Sequence, residues 1–226
     1  MKLKNKELFY DSISDTWESK INNSETNKRI NIIFNKLLLK KEMKNKKFLE
    51  VGCGLGYFSN KASEFGAKVT GIDIGPKLIK INKQKTPNGK FLVSSASRLK
   101  FNDESFDIVL STEVIEHVDH QNKAINEMFR VLKSNGILVI TTPNRVFKPL
   151  FDFLSLVRIR PYHGNEKWYY PWELKNILQK YGKIEKEIYF NFFLINKHFD
   201  YFEKFNFLRY IMINHGYKVI KFGKGK

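Results

Sequence analysis

At 226 residues, with 42% hydrophobic and 28% charged residues, the chain suits one globular domain with a sizeable core and room for a small appendage. Its single cysteine, Cys53, excludes an internal disulfide framework and fits a reducing, cytoplasmic setting. The net charge of +17 raises nucleic acid or an anionic membrane as partners. The lysines are spread along the chain rather than gathered in one block, however, which reads as a solvated basic face. No run approaches the roughly 20 apolar residues of a membrane span. No apolar segment follows the basic start Met1–Lys6, as a secretory signal requires.

Residues 1–46 read as a polar, helical N-terminal segment. In it, Ile13 and Trp17 share a helix face. A second helix over 27–39 carries Ile30, Ile32, Ile33, Leu37 and Leu38, and Lys40–Lys47 reads as a basic linker. From 47 to 142 the pattern alternates strand and helix, which calls for a parallel sheet with right-handed crossovers. Strands are expected near 47–52, 68–73, 90–94, 107–112 and 136–142, and helices near 56–65, 76–84 and 121–132.

The chain is organised around Phe48-Leu49-Glu50-Val51-Gly52-Cys53-Gly54-Leu55-Gly56. An apolar run suits a strand covered on both faces. The glycines then allow a sharp turn and close approach of a ligand to the backbone, with the N-terminus of the next helix aimed at it. A dinucleotide fingerprint wants a third glycine where this chain has Tyr57. Glu50, beside the turn, would gain nothing from a pyrophosphate, whereas a cationic ligand such as S-adenosylmethionine, with its sulfonium and ammonium, would gain from it. Asp73 ends the second expected strand 21 positions after Gly52, the spacing at which a carboxylate meets ribose hydroxyls. It also suits an N-cap for the helix starting near Pro76.

On these residues the chain resembles the class I S-adenosylmethionine-dependent methyltransferases. Glu-Val-Gly-Cys-Gly-Leu-Gly at 50–56 is similar to their first motif, and Gly-Ile-Asp at 71–73 to the acidic end of their second strand. The resemblance spans about 9–182. It implies a Rossmann-like α/β fold, with a mostly parallel seven-stranded sheet and helices on both faces. It implies S-adenosylmethionine held by Glu50, Gly52, Cys53, Gly54, Gly56, Asp73 and Ile74, with Ser95 and Ala96 at the adenine and Thr112 at the fourth strand end. It also implies a lid over the cofactor from the N-terminal segment, through Tyr10 and Trp17, for which packing on the domain is an equal alternative.

Glu113-Val-Ile-Glu-His-Val118 is similar to a segment of the quinone-biosynthesis O-methyltransferases, as is Thr141-Thr-Pro-Asn-Arg145. Histidine suits proton removal near neutral pH, which makes His117, with Glu116 beside it, the candidate base. His163, ahead of Tyr170-Pro171-Trp172, is the second. Glu113, Glu116 and His117 at i, i+3 and i+4 would converge on one helical turn, so a divalent metal is an alternative reading, although no metal ligands are assigned.

The long connection 143–171, rich in aromatics and arginines, reads as a substrate-side insertion within a methyltransferase domain at 47–226. A helix from Pro171 should end at Gly182. A sixth strand is expected over 183–195 and a seventh over 217–222. The aromatic and basic stretch 198–212 reads as packing, with peripheral contact to an anionic membrane as the alternative. The expected function is methyl transfer to a small-molecule acceptor, a hydroxyl of a quinone precursor or sugar-containing metabolite. A nucleic-acid methyltransferase and a non-catalytic cofactor-binding scaffold are the rivals.

Overall fold

The computed structural model of the chain describes Asp11 and residues 23–156, 166–192 and 212–223. Seven strands pair into one sheet: β1 Lys47–Val51, β2 Lys68–Asp73, β3 Lys90–Val93, β4 Phe106–Thr112, β5 Leu132–Pro143, β6 Gly182–Phe192 and β7 Met212–Lys221. Their spatial order is β3-β2-β1-β4-β5-β7-β6. The first five are parallel, and β7 runs antiparallel to both β5 and β6. The chain order reverses between β1 and β4, the point at which an open α/β sheet leaves a crevice for a ligand.

The helices are α1 Asn23–Ile32, running on through a π-helical turn at Ile33–Leu37, α2 Lys40–Met43, α3 Tyr57–Glu64, α4 Pro76–Lys85, α5 Gln121–Val131, α6 Lys148–Leu156 and α7 Pro171–Leu178. Alternation along the strands sorts the core into two layers. Leu49, Val109 and Leu138 face α5 and α7 through Ile125, Met128, Leu174 and Leu178. Phe48, Ile108 and Val139 face the other way, toward Phe34, Leu37, Met43, Ala62 and Ile79. Helices therefore cover both faces, which is why the central strands are apolar in nearly every position. No helix among the described residues is long and apolar enough to cross a membrane.

The structure departs from the expected elements in several places. The basic linker contains α2, whose Met43 is fully buried, and whose Glu42 takes an ion pair from Lys218 of β7 at 2.7 Å. Lys218 also reaches Glu185 at 2.8 Å. Burial alone would lower its pKa, but Glu185 and Glu42 outweigh that and raise it. The helix from Pro171 ends at Leu178, and Gly182 instead opens β6. A Cβ at Gly182 would lie 2.3 Å from the Ile220 carbonyl oxygen, so close strand pairing, not a helix end, calls for glycine there. β5 starts at Leu132 rather than near 136, with Ser134-Asn135-Gly136 as an excursion within it: the pairing with β4 jumps from Leu132 to Ile137, with Asn135 at φ 59°. β7 begins at Met212, earlier than expected. Tyr10, Trp17, His163 and the stretch 193–211 lie outside the described residues.

Candidate active site

Between β1 and α3 the backbone turns through three left-handed glycines, Gly52 at φ 76°, Gly54 at φ 47° and Gly56 at φ 82°. The turn is tied to the neighbouring strand, since the amides of Gly52 and Cys53 donate to the Ile72 carbonyl at 2.8 and 2.9 Å. Gly56 is the N-cap of α3. Asn82 of α4, fully buried, clamps the loop from below by donating from Nδ2 to the Gly54 carbonyl at 2.6 Å.

Two carboxylates flank the loop. Glu50, 1% exposed, accepts a hydrogen bond from Ser59 Oγ. Burial pushes its carboxyl up to about 8 against the opposing pull of Ser59. Asp73 accepts from the Gly54 amide at 2.9 Å and the Gly75 amide at 3.0 Å. Its pKa is also raised by burial, against those bonds. Asp73 does not cap α4 in the usual way. That role falls to Asp11, whose Oδ1 accepts from the amides of Lys77 at 2.8 Å and Leu78 at 3.2 Å. Nothing local in the sequence announces a cap supplied from 66 positions away.

A cavity of about 380 Å³ opens over the loop. Every residue expected at the cofactor lines it (Glu50, Gly52, Cys53, Gly54, Asp73, Ile74, Ser95, Ala96 and Thr112) except Gly56, which is spent on capping. Cys53 is buried, and burial pushes its thiol well above the usual range, so it packs. The Ser95 hydroxyl accepts from the Ser97 amide at 3.3 Å and so also shapes its own turn. Thr26 and Arg29 of α1 line the cavity too. Sequence reasoning missed both. The helix that carries them, Asn-Ser-Glu-Thr-Asn-Lys-Arg-Ile-Asn-Ile, is polar along most of its length, so nothing local singles them out.

At the other end stand Glu113, Val114 and His117. The expected single helical turn through Glu113, Glu116 and His117 does not form. Glu113 lies at φ 53°, and only Ile115–His117 is helical, as a 3-10 turn. Glu116 sits beneath the cavity at 2% exposure, accepting from Thr142 Oγ1 at 3.0 Å. Burial, reinforced by the charge of Glu113, pushes its carboxyl well above the ordinary range. His117 Nε2 is 3.8 Å from Glu116, and Nδ1 is 3.9 Å from Glu166. Among the described residues no group of three His, Cys, Asp or Glu is arranged to hold a metal ion.

Residues 49–140 match the family model described as a methyltransferase domain. The chain is 35% identical over 150 residues to the ubiquinone biosynthesis O-methyltransferase of Pelagibacter ubique, an alignment covering 62% of each chain. It is 41% identical over 101 residues to the 2-methyl-6-phytyl-1,4-hydroquinone methyltransferase of Synechocystis, covering 43% of this chain and 32% of that one. Residues 49–140 carry a methyltransferase domain, on the fold of the class I S-adenosylmethionine-dependent enzymes. Magnesium protoporphyrin IX methyltransferase of Synechocystis, solved with bound SAH, shares the methyltransferase fold at a TM-score of 0.71 and 14% identity, over 98% of this chain and all of that one. S-adenosylmethionine is the cofactor of such domains, and the matched region begins at β1, so the glycine loop, Glu50 and Asp73 belong to the methyltransferase core. The chain spans about 62% of the length of the ubiquinone-pathway relative it matches.

Proposed function

We propose that the protein transfers a methyl group from S-adenosylmethionine to a hydroxyl of a small quinone-related acceptor. One observation carries this reading: His117 and Glu113 line the same cavity as Glu50, Asp73 and the glycine loop. The residues suit the cofactor. Glu50 would meet the cationic ammonium end, and the Arg29 guanidinium the carboxylate beside it. Asp73 would accept from the ribose hydroxyls, its plane fixed by the Gly54 and Gly75 amides. Ser95 and Ala96 would border the adenine. When bound, the cofactor supplies an electrophilic methyl on a good leaving group. The protein's part is to hold the acceptor oxygen in line and to take its proton.

His117 is the group we assign to that proton. Glu116 is too deeply buried to reach an acceptor and supports the 3-10 turn from behind, so its catalytic role is indirect. His163 remains a candidate base from sequence. Residues 143–171 serve as the acceptor-side segment: Arg145, Lys148, Lys167 and Tyr169 wall a second cavity of about 660 Å³, which adjoins His117 through Glu166.

His117→Ala should abolish methyl transfer to a catechol acceptor, a loss of roughly 100-fold or more, while calorimetry finds S-adenosylhomocysteine affinity near wild type. Parallel loss of both would make the histidine structural and sink the assignment.

A further inference from the structure

Glu113 is a cavity-lining carboxylate in a backbone conformation that non-glycine residues seldom adopt, φ 53°. Such a conformation persists only where the surroundings over-determine it. Here they do. The Glu113 amide donates to the Thr141 carbonyl at 3.0 Å. Thr141 Oγ1 donates to Oε1 at 2.8 Å, and Asn214 Nδ2 to Oε2 at 2.7 Å. Asn214, 6% exposed at the start of β7, is held in turn by Asn191 Nδ2, which donates to its Oδ1 at 2.9 Å. Asn191 of β6 is itself left-handed, at φ 59°. Two side chains lying beyond the matched family region thus converge on one carboxylate inside it.

Thr141 and Asn214 fix the plane of the Glu113 carboxylate, which offers a ligand acceptor positions only. A carboxylate aimed into the cavity in this way favours a hydroxyl donor over an anion. Resting on the methyl-transfer reading, we propose that Glu113 receives the hydrogen bond of a neutral phenolic hydroxyl on the acceptor, and that Asn214, backed by Asn191, is the positioning residue that aims it.

The test uses the full chain saturated with S-adenosylhomocysteine and 2,3-dihydroxynaphthalene as a fluorescent diol probe. Wild type should bind the diol, and bind 3-hydroxy-2-naphthoate, with a carboxylate in place of one hydroxyl, roughly tenfold more weakly. Asn214→Leu should weaken diol binding by about tenfold, the loss of one aimed hydrogen bond to a charged group, with S-adenosylhomocysteine affinity within about twofold of wild type. Adding Glu113→Gln to Asn214→Leu should cost little more, because the two act as a unit. If Asn214→Leu fails to fold, Asn191→Ala, at a more exposed position, should weaken the diol about threefold. Unchanged diol binding in the folded variants overturns the relay alone. Equal loss of diol and S-adenosylhomocysteine makes it structural and also overturns it. Naphthoate binding as tight as the diol overturns the assignment of a neutral hydroxyl. Wild type that takes up S-adenosylhomocysteine but no diol overturns the hydroxyl-acceptor reading itself, and the inference with it.

Discussion

Glu50→Gln should weaken S-adenosylmethionine binding by roughly 10- to 100-fold, the worth of about 1.5–3 kcal/mol for a hydrogen bond to a charged group in a dry site. The substitution keeps size and can still accept from Ser59, so folding should survive. Its sharper signature is in pH. Burial holds the wild-type carboxyl at about 8, so at neutral pH the cofactor-free protein keeps it protonated. Pairing a cation requires the carboxylate, and binding must therefore release a proton. Wild-type affinity should rise with pH up to about 8 and then level, while Glu50→Gln lacks that slope. Titrations in buffers of different ionisation heat count the released proton.

Stability carries the opposite sign. A carboxyl whose folded pKa lies above its unfolded value of 4.5 binds its proton more tightly when folded. Its contribution is complete below that unfolded value and is lost as pH rises through about 8. Relative to Glu50→Gln, the cofactor-free wild type should lose melting temperature as pH is raised from about 5 to about 9. Saturating cofactor should restore it. Matching pH profiles for the two proteins would contradict a functional burial of this acid.

Gly52→Ala should be the most damaging single change in the loop. The position has φ 76°, and a Cβ there would lie 2.4 Å from Val114 Cγ2 and 2.9 Å from Cγ1. Left-handed strain of about 1–2 kcal/mol adds to an overpacking cost of about 1–3 kcal/mol, for a loss on the order of 3 kcal/mol in denaturant unfolding. Val114 lines the cavity, so displacing it should also cut cofactor affinity by at least roughly tenfold. Gly66→Ala is the matched control. Its φ is 82°, but the nearest atoms to an added Cβ, on Lys44, are 3.7 Å away. It should show backbone strain alone, with cofactor binding intact. Equal behaviour of the two variants would mean that Val114 yields freely and that the glycine is needed for its backbone alone.

The features legible in the sequence were those in which chemistry and spacing are local. An apolar strand leading to Glu50, glycines every second residue and an acid at the tip of β2 place their own atoms, because a strand end, a tight turn and a helix start are consecutive. The residues that escaped notice reach the site across the fold. Asp11 caps α4, Asn82 clamps Gly54, Arg29 enters from α1, and Asn214 crosses from β7. Each is an unremarkable polar residue in its own neighbourhood, and only packing gives it a partner.

Glu113, Glu116 and His117 were misjudged for a related reason. Their spacing suits a helix, but β4 still pairs at Thr112 with Thr141. The chain must leave the sheet through one left-handed residue before it can coil, which turns Glu113 into the cavity and Glu116 under it. Gly182 was read as a helix end from local preference, whereas the constraint comes from β7. The central strands, apolar at nearly every position because both faces are covered, carried the fold class without help from any motif.

The central claim is that the crevice over β1 and β2 holds S-adenosylmethionine. Isothermal calorimetry on the folded chain tests it most directly. The account predicts saturable binding of S-adenosylmethionine at one site, competed by S-adenosylhomocysteine and indifferent to NADH. Absence of uptake by folded protein, or displacement of the ligand by NADH, would contradict it.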